Sequence, residues 1–136
     1  MGDNAQRISL RVYYEDTDFS GRVYHASYLR FLERGRTEWL RAMGLSHDAL
    51  AKSSGVAFAV TRLETDFLAP AFIDDWLDIE TEVISLRGPV LRFQQTVLRD
   101  AARLVVGSVN VVAIKGDRPV RPPRELIRIV GSASRQ

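Results

Sequence analysis

The sequence predicts an α+β fold in which a five-stranded antiparallel sheet curves around one long helix. Two observations carry this. Residues 25–43 repeat apolar side chains at helical spacing, and residues 57–114 switch to long strand-like runs joined by short turns. A lone helix of that length with a mostly apolar stripe needs a broad apolar surface opposite it, and a curved sheet supplies one. The 136 residues fit one domain, 1–136, long enough to bury a core without staples.

Residues 8–14 alternate Ile8, Leu10, Val12 and Tyr14 with polar neighbours, which predicts the first strand. Residues 15–22 are a polar loop whose Asp16, Ser20 and Gly21 are turn formers. The long helix follows over about residues 25–43. Tyr28, Leu32, Gly35, Trp39 and Met43 recur at spacings of three and four, and Leu29, Phe31, Arg36 and Leu40 widen that stripe. Arg34 with Glu38, and Glu38 with Arg41, stand one turn apart on the polar side. Gly44 is placed to end the helix. Gly35 lies mid-helix, where glycine costs up to about 1 kcal/mol relative to alanine; its expected use is close approach of another backbone.

Ser46 is expected to cap a short helix over residues 47–52. Strands are expected over residues 57–69, 76–86, 90–99 and 104–114. In the second of these, Leu77, Ile79, Thr81 and Val83 alternate with Trp76, Asp78, Glu80 and Glu82. Pro122 and Pro123 open a last helix over residues 124–130. Such a sheet has open edges, so edge pairing into a homodimer, or into a homotetramer beyond it, is expected.

The hydrophobic fraction of 46% and charged fraction of 26% are ordinary for a globular protein. With no cysteine there are neither disulfides nor thiolate metal sites, which is compatible with a cytoplasmic protein. Residues 1–6 are polar and lack the apolar run of a secretory signal. No stretch approaches the roughly 20 apolar residues of a membrane span, so no integral membrane segment is expected. Charge is uneven: residues 115–136 hold six basic and two acidic side chains, against 13 and 15 in the remainder. A basic end suits an anionic partner, though a solvated surface accounts for it equally well. Nucleic acid is not expected, because no binding motif or stacking aromatic platform accompanies the arginines.

The chemistry is concentrated in residues 13–28. Asp16 and Asp18 stand two apart, Gly21 follows, and His25 opens the long helix. On composition alone both carboxylates read as turn groups. A helix N-terminus, however, presents free backbone N–H groups and the positive end of the dipole. These suit a developing oxyanion, with the His25 N–H best placed to polarise a carbonyl and its side chain able to handle a proton. His47 begins the short second helix and reads as a surface residue.

The run Asp16-x-Asp18, Gly21, Val23-Tyr24-His25, Tyr28 and Glu33-Arg34-x-Arg36-x-Glu38 resembles the opening signature of the 4-hydroxybenzoyl-CoA thioesterase-like hotdog family. It is similar in particular to the branch encoded with the Tol-Pal envelope system, and Ala69-Pro70 and Arg87-Gly88 also sit where that branch has them. The resemblance spans nearly the whole chain. It implies a helix threaded through a curled sheet, dimers that often pair into tetramers, and an active site at the dimer interface. It implies an acyl-CoA substrate, no metal and no bound redox cofactor. It makes Asp18 the catalytic carboxylate, as general base for water or as nucleophile through a mixed anhydride, while Asp16 stays a loop organiser. By family placement Arg87, Lys115, Arg118 and Arg121 are candidates for the CoA phosphates. Gly21, Tyr24 and Tyr28 are candidates for substrate contact, and Tyr14 flanks the same loop. Glu33 is expected either to touch a neighbouring subunit's site or to pair with Arg30. Phe19 departs from the family pattern, and a phenyl ring there is expected to narrow the acyl pocket. A non-catalytic module that docks an acyl carrier protein on the basic end is the competing reading.

Overall fold

A computed structural model describes residues 4–131. Its long strands are β1 (Gln6–Arg11), β2 (Val56–Phe67), β3 (Trp76–Arg87), β4 (Val90–Arg99) and β5 (Ala102–Lys115), with a two-residue β6 (Arg118–Pro119). The helices are α1 (Ser27–Ala42), α2 (His47–Ser54) and α3 (Arg124–Val130). All strand pairs are antiparallel, in the order β1-β3-β4-β5-β2, with β6 added to β5. Among the described residues β1 and β2 are therefore the outer long strands, and the outer side of β2 has no partner strand.

The alternation expected in β3 is the one that packs the core. Leu77, Ile79, Thr81 and Val83 are buried and face α1, while Trp76, Asp78, Glu80 and Glu82 point outward or to the rim. From α1, Tyr28, Phe31, Leu32, Gly35, Trp39 and Leu40 are buried against that surface. Gly35 has the use the sequence suggests. A Cβ at this position would lie 2.7 Å from Thr81 Oγ1, 2.8 Å from Ile79 Cγ2 and 2.9 Å from Gln95 Nε2, so only glycine lets the helix sit this close to β3 and β4.

Gln95, fully buried on β4, joins helix to sheet. Its amide donates to the Leu32 carbonyl at 2.8 Å and to Thr81 Oγ1 at 2.9 Å. Its oxygen accepts from Arg36 at 3.0 Å. A second buried clamp comes from Asn4, whose side chain bonds the Val83 N–H and carbonyl as a strand neighbour does, while its own carbonyl accepts from Trp39 Nε1 at 2.7 Å.

Element ends differ modestly from expectation. The first strand stops at Arg11 rather than Tyr14, because Asp16 Oδ2 accepts from the Tyr13 N–H at 2.8 Å and folds Tyr14–Asp16 into a 3-10 turn. Helix α1 starts at Ser27, two residues after the expected start, because Tyr24 to Ser27 forms a tighter turn closed by Ser27 N–H to the Tyr24 carbonyl, 2.8 Å. Ser46 caps α2 as expected, accepting from the Ala49 N–H. The strand β6 was not legible in the sequence.

Candidate active site

Between β1 and α1 the chain makes a short excursion closed on itself. Thr17 bridges Val23, the Asp18 N–H donates to the Arg22 carbonyl at 2.8 Å, and the Gly21 N–H donates to the Asp18 carbonyl at 3.1 Å. Gly21 turns the chain with φ of 83°, a conformation that favours glycine. The excursion is tied to the segment after β2: Arg22 bridges Phe72, Val23 N–H donates to the Ala71 carbonyl, and Ile73 N–H donates to the Gly21 carbonyl.

Asp16 and Asp18 part company here. Asp16 is buried, and both of its oxygens are engaged: Oδ2 by the Tyr13 N–H, Oδ1 by Arg30 at 3.5 Å. It organises the loop. Asp18 is exposed, and its Oδ1 accepts from both the hydroxyl (2.6 Å) and the N–H (2.8 Å) of Ser20. Those two Ser20 donors hold the Asp18 carboxyl below its ordinary range, so it is ionised at neutral pH. Its Oδ2 has no hydrogen-bond partner among the described residues. Ser20 was read only as a turn former; the signal available was its spacing two residues after an Asp, the signature of a side-chain-closed turn.

His25 is exposed in the turn leading into α1, its ring 4.4 Å from that of Tyr24. The first residue flanking α1, Ala26, offers no side-chain cap, and no acidic residue stands in the first turn. The Ser27 and Leu29 N–H groups donate to the Tyr24 and Ala26 carbonyls, and no side chain competes with a ligand for the remaining amides at this end. Tyr24 is half-exposed beside them. Tyr28 is not: it is buried, its hydroxyl accepts from the Ala71 N–H at 3.0 Å, and burial pushes its ionisation upward. Tyr28 thus anchors the segment that carries the loop rather than offering its hydroxyl to a substrate. Phe19 is fully exposed and lines neither cavity of the single chain. Tyr14 is likewise exposed.

Arg87 and Lys115 are exposed at the far ends of β3 and β5. At about 3.3 Å per residue, the twelve residues of β3 set Arg87 more than about 35 Å along the strand from Trp76, the end beside the Asp18 loop. One chain does not bring these cations to Asp18. Arg30 pairs with Asp16 and Ser27 rather than Glu33.

The larger cavity lies at the other end of α1. It measures about 440 Å³ and is floored by Trp39, Leu40, Leu91, Phe93, Val111 and Leu126. Phe58 and Val60 of β2 and Glu33, Arg36, Thr37 and His47 complete its walls and rim. Burial, then Arg41, hold the His47 imidazole below its usual range, keeping it neutral. Among the described residues no three His, Asp or Glu side chains gather as metal ligands would, and no helix is long and apolar enough to cross a membrane.

A long helix cradled by a curled antiparallel sheet, with a carboxylate loop at the helix N-terminus, defines the class: residues 12–129 match the thioesterase-like superfamily, and the chain belongs to it, with its hotdog fold. Over 136 residues, all of both chains, it is 41% identical to the acyl-CoA thioester hydrolase YbgC of Escherichia coli. The crystal structure of a probable thioesterase from Bartonella henselae, 39% identical, superposes with a TM-score of 0.85 over 88% of this chain and 99% of that one. The 4-hydroxybenzoyl CoA thioesterase of a Pseudomonas strain, 20% identical, shares the fold with a TM-score of 0.87 over 92% of this chain and 98% of its own.

Proposed function

We propose that this chain hydrolyses acyl-CoA thioesters to the free carboxylic acid and CoA, with Asp18 as the general base. The observation that carries the reading is the asymmetric Asp18 carboxylate: Oδ1 is fixed by Ser20, while Oδ2 has no hydrogen-bond partner among the described residues, and the group is held ionised in the loop that leads into α1. Oδ2 takes a proton from water as the water oxygen adds to the thioester carbon. The carbonyl oxygen becomes an oxyanion, received by the His25 N–H and the uncapped first turn of α1. The intermediate then collapses, the C–S bond breaks, and the sulfur leaves with the electron pair and takes up a proton. Holding Asp18 in its ionised form favours this role, since the base must be unprotonated before each turnover.

We further place the working unit as a homodimer formed through the outer side of β2. Val60, Leu63 and Phe67 are exposed along that edge, and an uncovered apolar strand edge is a template for pairing. The relatives' activity at 41% identity over the full length supports the reaction class. The cytoplasm is the expected compartment, given an acyl-CoA substrate. Release of free thiol, measured over short, long and aromatic acyl-CoAs with the wild type and Asp18→Ala, tests the reading. Hydrolysis lost in Asp18→Ala is expected; hydrolysis unchanged by that substitution contradicts the role given to Asp18.

A further inference from the structure

The segment between β2 and β3 carries both stems of the Asp18 excursion. On the entry side, the Asp74 N–H donates to the Val12 carbonyl at 3.0 Å, and the Val12 N–H donates to the Asp75 carbonyl at 2.9 Å. On the exit side, the Ile73 N–H donates to the Gly21 carbonyl at 3.2 Å, and the Val23 N–H donates to the Ala71 carbonyl at 2.8 Å. Between these stems the excursion closes on itself, so it rides on them as one body. Where residues 71–75 lie therefore decides where Asp18 stands relative to the start of α1.

Residues 71–75 belong to no strand, and their one bridge is to Arg22 of the excursion itself. They turn through Asp74, whose φ of 72° is a conformation that residues other than glycine adopt at a cost. Such a turn has to be held by its surroundings. Across it, Asp75 Oδ2 accepts from the Phe72 N–H at 2.9 Å. From the end of β4, Arg99 Nη1 donates to that same oxygen at 2.8 Å and to the Pro70 carbonyl at 3.2 Å. A single nitrogen thus ties both ends of residues 70–75 to the sheet, while the Tyr28 hydroxyl holds Ala71 between them. The side chains of Arg99 and Asp75 are 32% and 24% exposed. A pair this accessible adds little to global stability, so its loss is felt at the loop before it is felt in Tm.

We infer that Arg99 and Asp75 are positioning residues for the reaction: they clasp residues 70–75 and, through that backbone, fix where the Asp18 carboxylate stands. This rests on the acyl-CoA hydrolase reading above. Neither side chain bonds Asp18, whose own oxygen is held by Ser20 inside the excursion. Without the clasp the excursion shifts as a unit. Misplacing a reacting group by about 1 Å costs on the order of a hundredfold in rate. The loss falls on kcat, because the contacts that bind substrate do not pass through Asp75 or Arg99.

The test measures kcat, KM, Tm and amide hydrogen exchange on the full chain, with the best acyl-CoA as substrate. In Arg99→Met and in Asp75→Ala, kcat is expected to fall by on the order of tenfold to a hundredfold. KM and Tm should stay close to wild type, and the Val23 and Ile73 amides should exchange faster. Because both side chains act through one segment, the double variant should lose no more than the worse single one. Should these variants fail to fold, Asp75→Asn keeps an acceptor for the Phe72 N–H and removes only the charge that holds Arg99, and a smaller loss of kcat in the same direction is expected. Wild-type kcat in any folded variant of the set overturns the positioning role. Losses that multiply in the double variant, losses carried by KM, or unchanged exchange at Val23 and Ile73 overturn it equally. An active wild type with equally active variants leaves the hydrolase reading standing, whereas a wild type that hydrolyses no acyl-CoA overturns that reading and the positioning role with it.

Discussion

The two halves of α1 are built to opposite rules. In the C-terminal half, Gly35 lets the helix touch β3 and β4, Gln95 satisfies the Leu32 carbonyl, Thr81 and Arg36, and Trp39 is closed off by Asn4. Among the described residues no buried side-chain nitrogen or oxygen lacks a partner. In front of the N-terminal half, the helix is uncapped, His25 is exposed, and one oxygen of Asp18 is free. The contrast with α2 is direct, since Ser46 caps that helix at 3.0 Å. Unsatisfied groups are costly inside and cheap in water, so the reactive groups sit where solvent or substrate can complete them, on a helix whose other half is locked.

This contrast can be broken from either side. The largest expected effect on stability is at Gly35. Gly35→Val drives side-chain atoms into Thr81, Ile79 and Gln95 and should cost about 3 kcal/mol by overpacking, well above the gain in helix propensity; chemical denaturation reads it. Asn4→Ala comes next. It leaves the Val83 N–H and carbonyl without their side-chain partner and should cost about 1–3 kcal/mol, measured the same way, with the kcat of the folded protein unchanged. The smallest effect belongs to the exposed loop. Ser20→Ala removes the hydroxyl donor that is the main cause of the lowered Asp18 ionisation. The protonated form becomes easier to reach, so the acid limb of the kcat/KM profile should move to higher pH, towards the ordinary Asp value of about 3.9. Stability should not change. An acid limb that stays in place would remove Ser20 from the account.

Much of this division was legible in the sequence. The alternation of Leu77, Ile79, Thr81 and Val83 and the three-four spacing from Tyr28 to Trp39 are short-range patterns, and both elements form where they point. Gly35 announced a close approach, though not to what. The Asp18 loop was legible through its motif and its turn formers. What the sequence hid were partners brought together over long separations: Asn4 with Val83, Arg36 with Gln95, Tyr28 with Ala71. No periodicity reports such pairs. Tyr28 was a candidate for substrate contact because it flanks the loop, and nothing local announced that its hydroxyl accepts from Ala71; Arg87 and Lys115 were placed by family position, and a single chain sets them at the far ends of β3 and β5.

The central claim is that catalysis depends on one surface carboxylate that the fold does not need. Asp18→Asn keeps the size of the side chain and its contact with Ser20 while removing the base. Thiol release from the best acyl-CoA substrate should fall by on the order of a thousandfold, with Tm unchanged. Retained hydrolysis at unchanged Tm would contradict the assignment of Asp18.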